Sequence, residues 1–255
     1  MTTMPDDARE DAPLQPLDET WTTALAVVAH PDDMEFGAAA AVARWTGQGK
    51  RVAYVMGTSG EAGIDGMHPA EARRVREAEQ IASARAVGVD HVEFLGFPDG
   101  VLEYGLPLRR AIAGAVRRHR PEVVITGNFR ETFPGGMLNQ ADHVATGRAV
   151  VDAVRDAGNR WVFPDQLATE ALEPWGGVRQ VWAAGSPEAR HAVDVTDTFD
   201  AGVDSLRAHA AYLDGLGWED FDPAAFLAQM TTATGPRLGV SHATPFEVLR
   251  MGWDD

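Results

Sequence analysis

The stretch Ala29-His30-Pro31-Asp32-Asp33-Met34-Glu35-Phe36-Gly37 sets one imidazole among three carboxylates. Residue types at this spacing suit a divalent metal. His30 and Asp33 are three apart across a turn, so a ring nitrogen and a carboxylate can converge on one cation, and His143 in Gln140-Ala141-Asp142-His143 offers a third ligand. Two His and one Asp leave coordination positions open, which a catalytic metal needs and a structural one does not. Asp32 is then a second carboxylate beside the metal but not bound to it, placed to take a proton from water. A metal lowers the pKa of its water from roughly 15.7 toward about 7, so a carboxylate base suffices. Attack on a polarised amide carbonyl would release an amine and a carboxylate. The same tetrapeptide also serves as an ordinary helix start, with Asp32, Asp33 and Glu35 as acids near the positive end of the helix dipole.

These residues need a scaffold that brings two distant segments to one edge. TALAVVA (23–29) is a continuous apolar run, as expected of a strand buried on both faces. Pro31 suits the opening of a helix, here expected over 34–46. The pattern continues with a strand over 51–57, a Gly-rich loop, a helix over 69–87, a strand over 89–96, a helix over 106–119, a strand over 121–127 and a helix over 142–156. That alternation predicts an α/β fold with a Rossmann-like, mostly parallel sheet and helices on both faces. In such sheets the ligand crevice lies outside the carboxyl ends of the strands, where 30–33 and 140–143 both fall. Strands over 178–185 and 191–196 and helices over 198–213 and 223–232 form a smaller C-terminal region packed on the sheet. Five of the seven Trp lie beyond residue 160 and read as the packing of that region. Residues 1–19 are acidic and polar and read as a flexible tail, leaving 20–255 as one domain.

Composition narrows the partners. The net charge is -16, from 38 acids against 22 bases, which argues against a nucleic-acid or anionic-membrane surface. With no cysteine, disulfides and thiolate metal sites are excluded. The N-terminal residues lack the basic and apolar regions of a signal peptide, and no apolar run approaches the ~20 residues that span a bilayer. A soluble, cytoplasmic protein is expected.

The motif AHPDDxExG at 29–37 resembles that of the PIG-L/LmbE-like zinc-dependent deacetylases, and the resemblance extends over about residues 23 to 215. It implies hydrolysis of an N-acyl, chiefly N-acetyl, group on an amino sugar or its conjugate. It further implies one Zn2+ held by His30, Asp33 and His143, with Fe2+ or Co2+ able to substitute, and Asp32 as general base. Thr58-Ser59-Gly60-Glu61-Ala62-Gly63 is similar to the family's T-x-G-E-x-G loop, and Arg76-x-x-Glu79 to its R-x-x-E, with Arg76 touching substrate. Asp99 resembles an aspartate that binds sugar hydroxyls, and His209 in LRAHAAY matches the family's A-x-H histidine. Family members often assemble, so a homo-oligomer is compatible with the resemblance.

One departure stands out. The family's usual His-Pro-Asp-His is Gln140-Ala141-Asp142-His143 here. The first histidine helps stabilise the oxyanion, whereas Gln140 can donate only a neutral hydrogen bond. Gln140 and Asp142 are accordingly counted with Asp32 as catalytic candidates, and His242 in GVSHATPFE as a further acid near the substrate. His68, His91, His119 and His191 read as loop, surface or strand-edge residues. Two other readings stay open at the level of sequence. A two-His-one-carboxylate set also serves non-haem iron oxygenases, and a metal- or sugar-binding protein without activity could keep the same ligands.

Overall fold

The computed structural model describes residues 12–218 and 220–252. In chain order the strands are Gln15–Pro16 (β1), Thr23–Val28 (β2), Arg51–Met56 (β3), Val92–Phe94 (β4), Val123–Gly127 (β5), Gln180–Ala184 (β6), His191–Asp194 (β7) and Ala243–Arg250 (β8). They form one sheet in the order β1-β7-β8-β6-β5-β2-β3-β4. Every pairing is parallel except those of β8, which runs antiparallel between β6 and β7. This is the expected mostly parallel α/β sheet. The sequence reading had no strand over 243–250, where Pro245 and weak alternation hide one.

Because β2 is buried on both sides, its alternate residues feed two cores. Ala24, Ala26 and Val28 join Trp21, Trp45, Tyr54, Trp182 and Phe246 on one face. Leu25 and Val27 join Val55, Ile112, Val124, Val150 and Val181 on the other. Trp21, Trp45 and Trp182 meet edge-on or tilted with ring centroids 5.4–5.9 Å apart, a favourable geometry for aromatic quadrupoles. Of the later tryptophans, Trp182 and Trp175 pack as expected, while Trp161 and Trp218 are exposed and Trp253 lies outside the described residues.

The helix expected over 34–46 is two: Asp33–Gly37 (α1) and Ala39–Gly47 (α2), broken at Ala38 (φ -143°, ψ 5°). The break lets α1 point Phe36 at Val203, Leu206 and Phe226, while α2 lies on the sheet. Pro69–Ala86 (α3) begins at His68, whose Nδ1 accepts the Ala70 N–H at 3.3 Å, so this loop histidine is a helix cap. Leu106–His119 (α4) and Ala141–Gly158 (α5) cover the second face. A short helix, Pro164–Thr169 (α6), was not expected.

The helix expected over 198–213 is also split, into Phe199–Arg207 (α7) and Ala210–Gly215 (α8), with His209 at the break. Phe36, Val203, Leu206, Phe226 and Leu227 bind α1, α7 and Pro223–Leu238 (α9) together. That last helix outruns its expected end, holding Pro236 in its final turn and stopping at Gly239 (φ 82°). Residues 14–17, expected within the tail over 1–19, are instead packed on the fold. Leu14 and Leu17 are buried and β1 pairs with β7, because two leucines there find the apolar flank of the C-terminal region; residues 1–11 lie outside the described ones. No helix among the described residues is long and apolar enough to cross a membrane.

Candidate metal centre

β2 ends at Val28, and the chain turns at once into α1, so His30 and Asp33 sit at the carboxyl edge of the sheet. β5 is hydrogen-bonded to β2, and the loop after it leads into α5, which carries His143 in its first turn. The two segments meet. His30 Nδ1 and His143 Nε2 are 3.2 Å apart, His143 Nε2 and Asp33 Oδ1 3.0 Å, and His30 Nδ1 and Asp33 Oδ1 3.7 Å.

The outer atoms of all three side chains are already committed. Asp33 Oδ2 accepts the Ala29 and His30 N–H groups, each at 2.9 Å, leaving Oδ1 inward. His143 Nδ1 faces Asn139 Oδ1 at 2.9 Å, an acceptor whose own amide is spent on the Asn128 and Arg130 carbonyls. His30 Nε2 faces two carboxylates, Asp99 at 3.1 Å and Asp142 at 3.3 Å. Both imidazoles must therefore donate outward, and both lone pairs point inward at the same spot as a carboxylate oxygen. Three acceptors within 3.0–3.7 Å of one another fit a cation of zinc size, with bonds of about 2.0–2.2 Å. Burial opposes charge on His30, yet Asp142, Asp33 and Asp99 outweigh it and hold its pKa well above the usual range. Asp33 is held well below its own range by His143 and His30 despite its burial.

Asp32 stands apart from this triangle. It adopts φ 98°, a left-handed conformation rare outside glycine. Its N–H bonds Gln80 Oε1 at 2.9 Å and its Oδ1 accepts Arg76 Nη2 at 3.1 Å. Burial pushes its carboxyl up to about 6, with Arg76 pulling back and Asp33 pushing further. Arg76 is itself buried, bonded to the Pro31 carbonyl and stacked 3.6 Å over the Tyr212 ring.

A profile of the family described as PIG-L, GlcNAc-PI de-N-acetylase, matches residues 25–154, half of the chain and the half that holds His30, Asp32, Asp33, Arg76 and His143. The chain belongs to that family. PIG-L relatives include the diacetylchitobiose deacetylase of Thermococcus kodakarensis, 28% identical over 78% of this chain and 73% of its own. The 1D-myo-inositol 2-acetamido-2-deoxy-alpha-D-glucopyranoside deacetylase of Kineococcus radiotolerans is 30% identical over 80% and 72%. Among solved structures, the N,N'-diacetylchitobiose deacetylase from Pyrococcus horikoshii shares the fold with a TM-score of 0.82 at 23% identity, covering 91% of this chain and 85% of that one. Membership in PIG-L supports a deacetylase-type hydrolase over the oxygenase reading.

The sites read from family motifs are placed differently from expectation. Arg76 was expected on substrate, but it is buried behind Asp32 and orients it. Asp99 was expected on sugar hydroxyls. Its Oδ1 instead meets His30 and its Oδ2 accepts the Ala62 N–H at 2.8 Å, so both oxygens are in use. Asp142 is committed in the same way. It accepts the Gly100 and Leu102 N–H groups and backs His30.

His209 has no exposed surface; its Nε2 lies 3.6 Å from Glu35 Oε2. Glu35 is the expected first-turn acid of α1, but it is buried and accepts from Gln80 and Ser83. His242 stacks on Phe199 at 4.4 Å and bonds Thr231, with β5, β6 and β8 between its neighbour strand β7 and β2. None of its contacts belongs to the His30 cluster. Gln140 is exposed at the N-cap of α5, one turn before His143.

The sequence reading missed Asn139, Gln80 and Tyr212. Asn139 carried a usable signal, since an Asn just before a helix start favours side-chain bonds to nearby groups. Gln80 and Tyr212 carried none, because their partners lie on other elements.

Proposed function

We propose that this chain is a zinc-dependent N-deacetylase that frees the amine of an N-acetylated amino sugar or amino-sugar conjugate. One observation carries the reading: two inward lone pairs and one carboxylate oxygen converge, while a second carboxylate, Asp32, is held beside them by an arginine. A zinc ion held by His30, Asp33 and His143 would polarise the acyl carbonyl and make the attacking water acidic. A site that only bound metal or sugar would have no use for the buried Asp32–Arg76 pair.

Asp32 takes the proton from the attacking water as the new C–O bond forms. Arg76 and Tyr212 keep its carboxylate in one orientation through that transfer, and the Gln80 contact fixes its backbone. As the C–N bond breaks, the protonated Asp32 returns the proton to the leaving nitrogen, giving acetate and a free amine. Gln140, at the exposed mouth, donates its amide N–H to the developing oxyanion. His30 and His143 are kept in their ligating tautomers by Asp99, Asp142 and Asn139. The names of the curated relatives support a glucosamine-type substrate. Exposed Val101, Met137 and Leu138, next to Gly100 and Asn139, would meet the part of the substrate beyond the amide.

The decisive experiment measures metal content and amine release from N-acetylglucosamine conjugates for wild type and Asp32→Asn. Asparagine is the right replacement because it tolerates the left-handed backbone that alanine would strain. The variant should keep its zinc and lose roughly 10²–10⁴ in rate, the usual worth of a positioned general base. A fully active Asp32→Asn would remove Asp32 as the base.

A further inference from the structure

At the far edge of the sheet, β4 carries His91 just before its first residue and Glu93 within it. Residues two apart on an extended strand point to one side. Val92 and Phe94 face the first core, so His91 and Glu93 face the side on which α4 packs. There α4 ends at His119, and the helix's last carbonyls favour positive charge at that spot. The three side chains come together: His119 Nε2 and Glu93 Oε2 are 3.6 Å apart, the two imidazole rings are 4.8 Å between centroids, and one ligand atom from each residue lies within 4.8 Å of the others.

We propose that His91, Glu93 and His119 form a second metal site, for a divalent transition ion of the zinc, nickel or copper class, separate from the His30 centre. Two imidazoles with one carboxylate select these borderline ions over magnesium and calcium, which prefer all-oxygen sets. The 3.6 Å separation already suits two ligands of a tetrahedral ion. The remaining gap closes by rotation of His91, which is exposed and unconstrained by burial. Arg118 bonds the other oxygen of Glu93, Oε1, so Oε2 is left for the ion while the arginine orients the carboxylate. The bound ion would clamp the edge strand to the end of α4.

The test is zinc titration of the intact chain by calorimetry, with calcium as the control ion. Wild type should bind two zinc ions and no calcium at the weaker site. His119→Ala and His91→Ala should each lose the weaker ion, by at least tenfold in affinity, while amine release from an N-acetylglucosamine conjugate is unchanged. His143→Ala should lose the tighter ion and keep the weaker one. Arg118→Ala, which leaves all three ligands in place and frees only the Glu93 oxygen that the arginine holds, should still bind the weaker ion at full stoichiometry. A single zinc per wild-type chain, or equal stoichiometry and affinity in wild type and both histidine variants, would overturn the proposal.

Discussion

In the proposed mechanism, position 140 sets how much of the oxyanion would be carried by protein. Gln140 is exposed, extended at the N-cap of α5 and one turn before His143, so it is free to reach a substrate carbonyl. A neutral amide there forgoes charge and proton, both of which an imidazole could add. Gln140→His should therefore raise kcat severalfold, within the roughly 10²–10³ that a full oxyanion donor is worth; an unchanged kcat would show that position 140 does not touch the oxyanion. Asn139 acts one step further out. Its Oδ1 fixes the His143 tautomer and its amide ties the loop after β5 in place. Asn139→Ala should weaken zinc binding by about 10- to 100-fold, as loss of an outer hydrogen bond to a ligand does. Zinc affinity from competition with a chelator reads this directly, and an unshifted affinity would leave Asn139 a loop anchor only.

At the scale of elements, the T-x-G-E-x-G loop and α3 act as a clamp on Asp32. Gly60 holds φ +64° and a Cβ on Gly63 would lie 2.5 Å from Arg76 Nη1. Arg76 is pinned between Tyr212, Pro31 and Asp32, so it has no room to yield. Gly63→Ala should lower kcat by up to about 10² through a misplaced base, with KM and zinc content nearly unchanged. Loss of zinc along with rate would mean the whole loop had moved. This clamp also marks the limit of legibility in the sequence. AHPDDxExG announced its place because strand, turn and helix signals are local, and the parallel order followed from alternating periods. Arg76, Asp99 and His209 were picked out by motif resemblance, but a motif does not state direction. Arg76 points inward because Asp32 and Tyr212, from α1's start and α8, complete its surroundings. The antiparallel β8 and the two helix breaks at Ala38 and His209 were hidden for the same reason: each is set by partners far along the chain.

On the scale of the molecule, the metal centre joins parts that the chain keeps far apart. His30 follows the end of β2, Asp33 opens α1 and His143 lies in the first turn of α5, so an ion held by them would tie the central strand to helices serving both faces of the sheet. Nothing in the fold requires the ion for assembly, because the two cores and the β2–β5 pairing hold those segments without it. Asp33 also keeps ion pairs with both histidines when they are protonated. Removal of metal should thus lower stability without unfolding the chain. An ion at 100 times its Kd stabilises by about 2.7 kcal/mol, and a domain of this size shifts by roughly 2–4 °C per kcal/mol. A chelator should then lower Tm by on the order of 5–10 °C, abolish amine release, and leave far-UV circular dichroism at 25 °C unchanged. Zinc should restore amine release only through the His30 centre, so His143→Ala should stay inactive, melt near the chelated wild type and regain on zinc addition only the smaller stabilisation of the weaker edge-strand site. Loss of the circular dichroism signal on chelation would instead make the ion part of the folding core, and the carboxyl edge of the sheet would then be organised by metal rather than by packing.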